Sequence, residues 1–412
     1  MNHALVWGIA GCTILLILAG PRRIPEAVWA CGGAGLLVLF KLISPRDALA
    51  AVRRGTDVYL FLTGMMVLAE LARREGFFDW VAVHAVEWAK GSPKRLFAIV
   101  YAVGTVVTIF LSNDATAVVL TPAVLAAVKK ARARPLPYLL ICAFIANAAS
   151  FVLPISNPAN LVVYGSKMPA LGVWFRSFGL PSLVSIVVTF AVLELSCRND
   201  LKGAIESQVD GVSLSAGGKL AAYGIGGAAV ALMIASALDI DLGLPTLLAA
   251  IAATALVAFH DRNAPAGIFK HISWSVIVLV AGLFVMVAAV DQAGVLAMSQ
   301  GALRKAEALG AVEGSLTAAF GVALSSNIAN NLPVGLIAGN ALHAGVSMAI
   351  RNAVLIGVDL GPNLSVSGSL ATILWLIALR RDGEDISFWK FLTYGLLLMP
   401  VALALAVLAA VL

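Results

Sequence analysis

Apolar runs of about 16 to 26 residues recur from one end of the chain to the other, separated by short polar or basic segments. Such a run is what an α-helix needs to cross roughly 30 Å of hydrocarbon, whereas barrel strands would alternate apolar and polar positions over about ten residues. The pattern predicts spans at about 4–20, 25–43, 55–72, 175–197, 219–238 and 243–260. Gly76 to Lys90 is shorter and carries Asp79, His84 and Glu87 among aromatics, so a helix lying in the interface is expected there. The first run, Ala4 to Ala19, has no basic leader and is followed by Gly20-Pro21-Arg22-Arg23, so it reads as a span and not as a signal peptide. Arg22 and Arg23 after this span favour an N-terminus on the outside.

Two segments break the simple pattern. Leu96 to Val128 has Lys90, Lys94 and Arg95 before it and Lys129, Lys130, Arg132 and Arg134 after it. Basic residues at both ends place both ends on the cytoplasmic side, so 96–128 reads as a re-entrant hairpin that turns at Ser112-Asn113-Asp114. Pro137 to about Ser166 is interrupted by Pro154 and Pro158, which remove backbone donors and unwind the middle of a crossing.

The same order then returns. Ile272 to Val290 answers Thr56 to Ala72, with Ala281-Gly282 opposite Thr63-Gly64. Ala293 to Leu309 answers the interfacial helix, and 312–342 answers the hairpin with Ser326-Asn327 opposite Ser112-Asn113. His343 to Arg380 answers the broken crossing, with Gly361-Pro362-Asn363 opposite Ser156-Asn157-Pro158. The expected fold is an all-α polytopic membrane protein: about ten transmembrane helices plus two re-entrant helical hairpins in inverted-topology repeats, with two broken transmembrane helices. Residues 1–197 form the first half, 198–218 a cytoplasmic connecting loop and 219–412 the second half. In this scheme Lys41, Arg46, Arg53 and Arg54 fall outside, against the positive-inside tendency.

Composition narrows the function classes. With 61% hydrophobic and 12% charged residues, against about 25% charged in soluble domains, this is an integral membrane protein. The net charge of +6 then reports orientation and not a nucleic-acid partner. Cys12, Cys31, Cys142 and Cys197 lie singly in four different apolar runs, so neither a metal site nor a redox motif is expected. Gly218-Lys219 lacks the glycine spacing and the Ser or Thr of a phosphate loop. No His-Glu-x-x-His motif is present and no histidine is paired, so neither an enzyme nor a cofactor is expected.

Four breaks supply the candidate chemistry: Ser112 to Thr116, Ser156 to Asn160, Ser326 to Asn331, and Gly361 to Ser369. They bring Asn113, Asn157, Asn160, Asn327, Asn330, Asn331 and Asn363, with hydroxyls from Ser112, Thr116, Ser156, Ser326 and Ser365 and no Lys or Arg. Amides donate and accept, so a pocket built from them suits a neutral hydroxyl-rich solute or a dehydrated cation. The bland alternative is that each amide caps a broken helix and satisfies freed backbone groups. Asp114 is a carboxylate at membrane depth, costly to charge there, and exchange of a proton is its expected role. Asp359 is a second candidate.

At these residues the chain resembles the ArsB-type arsenite and antimonite efflux permeases of the ion transporter superfamily. The likeness is carried by Ser112-Asn113-Asp114-Ala115 through Leu120-Thr121-Pro122, Ser156-Asn157-Pro158-Ala159-Asn160-Leu161, Ser326-Asn327-Ile328-Ala329-Asn330-Asn331-Leu332-Pro333, and Gly357-Val358-Asp359-Leu360-Gly361-Pro362-Asn363-Leu364 through Trp375. The first two stretches also fit the wider group of sodium-coupled dicarboxylate symporters and sodium/proton antiporters. The resemblance implies a multi-pass protein of a bacterial inner membrane that exports trivalent arsenic or antimony, driven by protons or by an associated ArsA-type ATPase. Trivalent arsenic near neutral pH is an uncharged trihydroxide, which amides and hydroxyls can hold without a fixed cation.

Overall fold

The computed structural model describes residues 3–19, 24–165, 168–207, 213–259, 261, 264–342 and 346–412, and among them every regular element is helical. Arg22 and Arg23, His343 and the middle of the 198–218 connection lie outside the described residues. Helices α1 (His3–Ala19) and α2 (Glu26–Leu39) lead into α3 (Pro45–Arg54), α4 (Thr56–Arg74), α5 (Phe77–Ala89) and α6 (Pro93–Leu111). The chain turns back through α7 (Asn113–Ala115), a π-helical turn at Thr116–Leu120, and α8 (Thr121–Lys130). It continues in α9 (Leu136–Ala148), α10 (Pro158–Tyr164) and α11 (Leu171–Cys197). The second half holds α12 (Ala216–Ala237), α13 (Gly243–Ala258), α14 (Ala264–His271), α15 (Trp274–Gln292) and α16 (Val295–Ala308). It ends with α17 (Ala311–Ala329), α18 (Asn331–Ala341), α19 (Met348–Leu360), α20 (Leu370–Arg381) and α21 (Phe388–Val411).

Helix starts follow from local chemistry. Ser44 accepts a hydrogen bond from the Asp47 N–H at 3.0 Å with Pro45 behind it, and Ser92 and Pro93 repeat the arrangement with the Arg95 N–H at 3.3 Å. Each cap satisfies one of the four donors that a helix start leaves open. The amphipathic α3 and the short α14 are absent from the apolar pattern, because neither carries an apolar run of membrane length. α3 gives the basic Lys41–Arg54 region a folded place: Arg54 sits in its last turn and acts electrostatically on Asp291.

Among the described residues five helices, α6, α11, α12, α15 and α21, are long and apolar enough to cross a membrane, and α3 with α4 makes a sixth bent by 47°. Apolar helices of 10–17 residues, α1, α2, α9 and α13, accompany them. α9 is short because the break after it divides its crossing into α9 and α10, each below the ~20 residues that a full span requires.

The halves repeat their element order and exchange their partners. α4 packs on α13 while α15 packs on α2, α10 packs on α18 while α20 packs on the α7–α8 limb, and α11 and α21 pack on each other. Glycines mark both members of one exchanged pair. A Cβ on Gly64 would come 2.7 Å from the Thr246 backbone, and one on Gly282 2.9 Å from that of Ala30, so a missing side chain lets each backbone pair approach.

The hairpin breaks are matched backbone events. α6 ends at Ser112 with φ 101° and ψ 160°, and α17 ends at Asn330 with φ 70° and ψ 148°. The equivalence is therefore Ser112-Asn113-Asp114 with Asn330-Asn331-Leu332. Ser326-Asn327, expected opposite Ser112-Asn113, lies one turn earlier inside α17 and corresponds to Thr108. The broken crossings shift likewise: Asn157 caps α10 as Ser369 caps α20, so Asn157-Pro158 answers Ser369-Leu370 and not the Gly361-Pro362-Asn363 turn. Sequence similarity between short polar clusters set the expected register, whereas the helix ends set the real one.

Candidate functional site

Four helix starts meet where the halves interlock. A small void, about 10 Å³ in volume and close to the size of one water, is lined by Asn113 and Asp114, Asn157 and Pro158, Asn331 and Leu332, and Ser369 to Ala371. α4 and α15 close it with Leu62 and Val276. No Lys or Arg lines it.

Two larger cavities approach this junction. One, of about 810 Å³, runs past Asp114, Ser112 and Pro158 to a rim that includes Glu70, Arg73, Lys129 and Arg381. The other, of about 570 Å³, is bounded by Leu161 to Gly165, by Leu336 to Leu342 and by the charged Arg54, Asp57, Asp291 and Arg351. The first lies between the first hairpin and α20, the second between the second hairpin and α10. They are related by the same exchange as the helices.

The hairpin limb beside the larger cavity is unusually wound. Pro122 has no N–H, and its ring would collide with the carbonyl four residues back in a regular helix. The π-helical turn at Thr116–Leu120 precedes it, and the Thr121 hydroxyl donates to the Thr116 carbonyl at 3.1 Å. Thr116 is fully buried, with its hydroxyl 2.8 Å from that of Thr108, so it ties the two limbs together and does not line the void.

The candidate amides divide into two groups. Asn160 donates to the carbonyls of Ser150 at 2.9 Å and of Leu153 and Pro154 at 3.3 Å, holding the unwound segment of the first crossing. Asn327 donates to Ala323 and Gly361 carbonyls, both at 2.8 Å, and accepts from Ser365 at 2.6 Å. Asn363 donates to the Phe144 carbonyl at 3.0 Å and accepts from Asn147 at 3.0 Å. Asn330 caps α18 by accepting from the Leu332 N–H at 3.2 Å. These four hold broken backbone in place, and none lines the void.

Asn113, Asn157 and Asn331 do line it. Asn113 is buried with no partner for its side-chain oxygen, the state of an acceptor with no protein donor in reach. Asn157 accepts from the Ala159 N–H at 3.0 Å and donates to Asp359 at 2.8 Å. Asp114 is enclosed by protein but partly open, and it faces both the void and the larger cavity. Among the sequence candidates the hydroxyls of Ser156 and Ser326 go to backbone carbonyls, of Ile109 and Val322, both at 3.0 Å.

Two contributors are not among the singled-out candidates: Ser369, which ends the expected break from Gly361, and Asn147, which lies outside all four. Ser369 caps α20, its hydroxyl 3.0 Å from that of Thr372, and lines the void. Asn147 sits inside apolar α9, completely buried, and ties Asn363 and Ser369 together, accepting from Ser369 at 3.4 Å. A lone amide within an otherwise apolar helix was the available signal for it. Trp174 and Trp375 donate to the carbonyls of Phe151 and Leu139, each at 3.1 Å, and secure the same breaks.

Comparison with known proteins adds three findings. The model of the citrate transporter family, CitMHS, matches residues 13–356. The chain is 26% identical to an arsenical pump membrane protein of Escherichia coli K12 and 27% identical to one of Yersinia enterocolitica, each alignment covering 94% of both chains. The crystal structure of the Alcanivorax borkumensis YdaH transporter, described as having an unusual topology, superposes with a TM-score of 0.58 at 14% identity, covering 92% of this chain and 88% of that one. That likeness concerns the fold.

Proposed function

Because the chain belongs to the citrate transporter family, and so is a multi-pass membrane transporter and not an enzyme, we propose that it exports arsenite and antimonite from the cytoplasm in exchange for protons. The bacterial plasma membrane is its place. The observation that carries the choice of substrate is the junction itself, an amide- and hydroxyl-lined void without a basic side chain. Once the junction opens beyond its room for about one water, a neutral trihydroxide can donate to Asn113 and exchange hydrogen bonds with Asn157, Asn331 and Ser369. The relatives named arsenical pump membrane proteins align over nearly the whole length.

Basic residues support an assignment of sides. Arg73, Lys129 and Arg381 lining the larger cavity favour it as the cytoplasmic vestibule, with the smaller cavity as the outward one. The two halves, 1–197 and 219–412, act as repeats of opposite orientation that rock about the junction, exposing it to each side in turn. An associated ATPase of the ArsA type is a further partner that this arrangement accommodates but does not require.

Asp114 is the proton carrier in this scheme, since it faces both the void and the cytoplasmic vestibule. One proton crossing about 100 mV supplies roughly 2.3 kcal/mol, about fifty-fold in concentration. Asp114→Asn is expected to lose proton-driven arsenite uptake into everted vesicles while keeping arsenite exchange at equilibrium. Undiminished gradient-driven uptake would remove Asp114 from its role.

Family membership also favours a second reading, a sodium-coupled carrier of an organic anion or a sodium/proton antiporter. Helix starts α18 and α20 at the void offer free N–H groups to a carboxylate. Dependence of transport on sodium, with citrate competing for arsenite uptake, would select that reading.

A further inference from the structure

Asp359 is the second-last residue of α19, in the core and lining neither of the two larger cavities, with none of its surface exposed. One carboxylate oxygen accepts from Asn157 Nδ2 at 2.8 Å, the Ser150 hydroxyl also acts on the carboxylate, and the second oxygen has no partner in good hydrogen-bond geometry. The equivalent position in the first half is Asn147, where Ser369 plays the part of Asn157. The junction is thus built twice, once around a neutral amide and once around an ionisable acid. Asp114 breaks the symmetry in the opposite sense, since its counterpart is Leu332. Each half contributes one carboxylate, on different elements.

Tyr164, at the end of α10, lines the outward vestibule and lies within electrostatic reach of both Asp359 and Arg351. The other titratable groups on elements packed against α19 are Cys142 and Tyr138 on α9, Glu313 on α17, Lys390 and Tyr394 on α21, and Arg304, Lys305 and Glu307 on α16, the last accepting from the Ser347 N–H. α18 brings none. None of these groups bonds Asp359.

We propose that Asp359 is a second proton-binding site of the transporter, reached from the outward vestibule past Tyr164 and read at the junction through Asn157. Binding turns the carboxylate into the acid at its unpartnered oxygen, the proton coming from vestibule water, and leaves the other oxygen accepting from Asn157. The Asn157 bond then loses its charge assistance, which makes such a bond about twice as strong as a neutral one. Asn157 also holds the first N–H of α10, so the charge of Asp359 reaches a side chain that lines the void. With Asp114 facing the cytoplasm, the carrier holds one acid toward each side.

This inference rests on the proton-coupled reading, and its test separates the two. In purified protein reconstituted into lipid, infrared titration of carboxyl bands should show one component that is lost in Asp359→Asn and whose midpoint moves by about one pH unit in Asn157→Ala, the effect of one charge-assisted hydrogen bond. In everted vesicles, arsenite uptake by Asp359→Asn should lose the dependence on lumenal pH that the wild type shows. If Asp359→Asn fails to fold, the midpoint in Asn157→Ala decides alone. A carboxyl titration unchanged in Asp359→Asn, or unmoved in Asn157→Ala, overturns the proposal. Wild-type vesicles that do not transport arsenite would sink the functional reading and leave the infrared result standing.

Discussion

Asn113 and Asn160 carry the same amide and have opposite employment. Asn160 spends its NH₂ group on three carbonyls of an unwound segment, whereas Asn113, whose oxygen like that of Asn160 meets no donor, lines the void. Removing Asn160 leaves buried carbonyls without partners, at about 1–3 kcal/mol. Asn160→Ala is therefore expected to lower the thermal unfolding temperature in detergent with little change in KM. Asn113→Ala should leave that temperature nearly unchanged and raise KM for arsenite, by about tenfold if one hydrogen bond of roughly 1.4 kcal/mol to substrate is lost. The reverse pattern would exchange their roles. From the sequence the two residues looked alike, because an amide beside a break can serve either purpose and only its partners tell which.

At the scale of elements much was legible. Apolar run length gave the helical class, the basic clusters around 96–128 gave the hairpin, and Pro154 and Pro158 gave the unwound crossing. What escaped was register. Ser326-Asn327 and Ser112-Asn113 are similar in chemistry, but the helix ends at Ser112 and Asn330, where the backbone takes positive φ, and nothing in residue type announces that. The amphipathic α3 was missed for a related reason, since hydropathy reports burial in lipid and not helix formation. Close packing of α18 on α10 was equally silent. A Cβ on Gly339 would collide with the Val163 carbonyl oxygen, so Gly339→Val must push the second hairpin off α10. The expected cost is about 1–3 kcal/mol, read as a lower unfolding temperature, with outward-vestibule labelling altered. An unchanged unfolding temperature would mean that the two helices are not held together there.

For the whole molecule, the packing of the helices leaves a tight junction that the larger cavity reaches at Asp114 and Pro158, and a second cavity a helical turn further along α10 and α18; the proposed alternating access would open the junction to each in turn. Single cysteines at Val118, in the larger cavity, and at Ala288, in the smaller one, should change their reactivity in opposite directions when arsenite binds. Parallel changes at both positions would describe a channel opening and not a carrier. The most direct test of the account is arsenite uptake by everted membrane vesicles energised with a proton gradient, without ATP and without sodium. Accumulation that disappears when a protonophore collapses the gradient is the predicted result; uptake indifferent to the gradient, or present only with sodium, would contradict it.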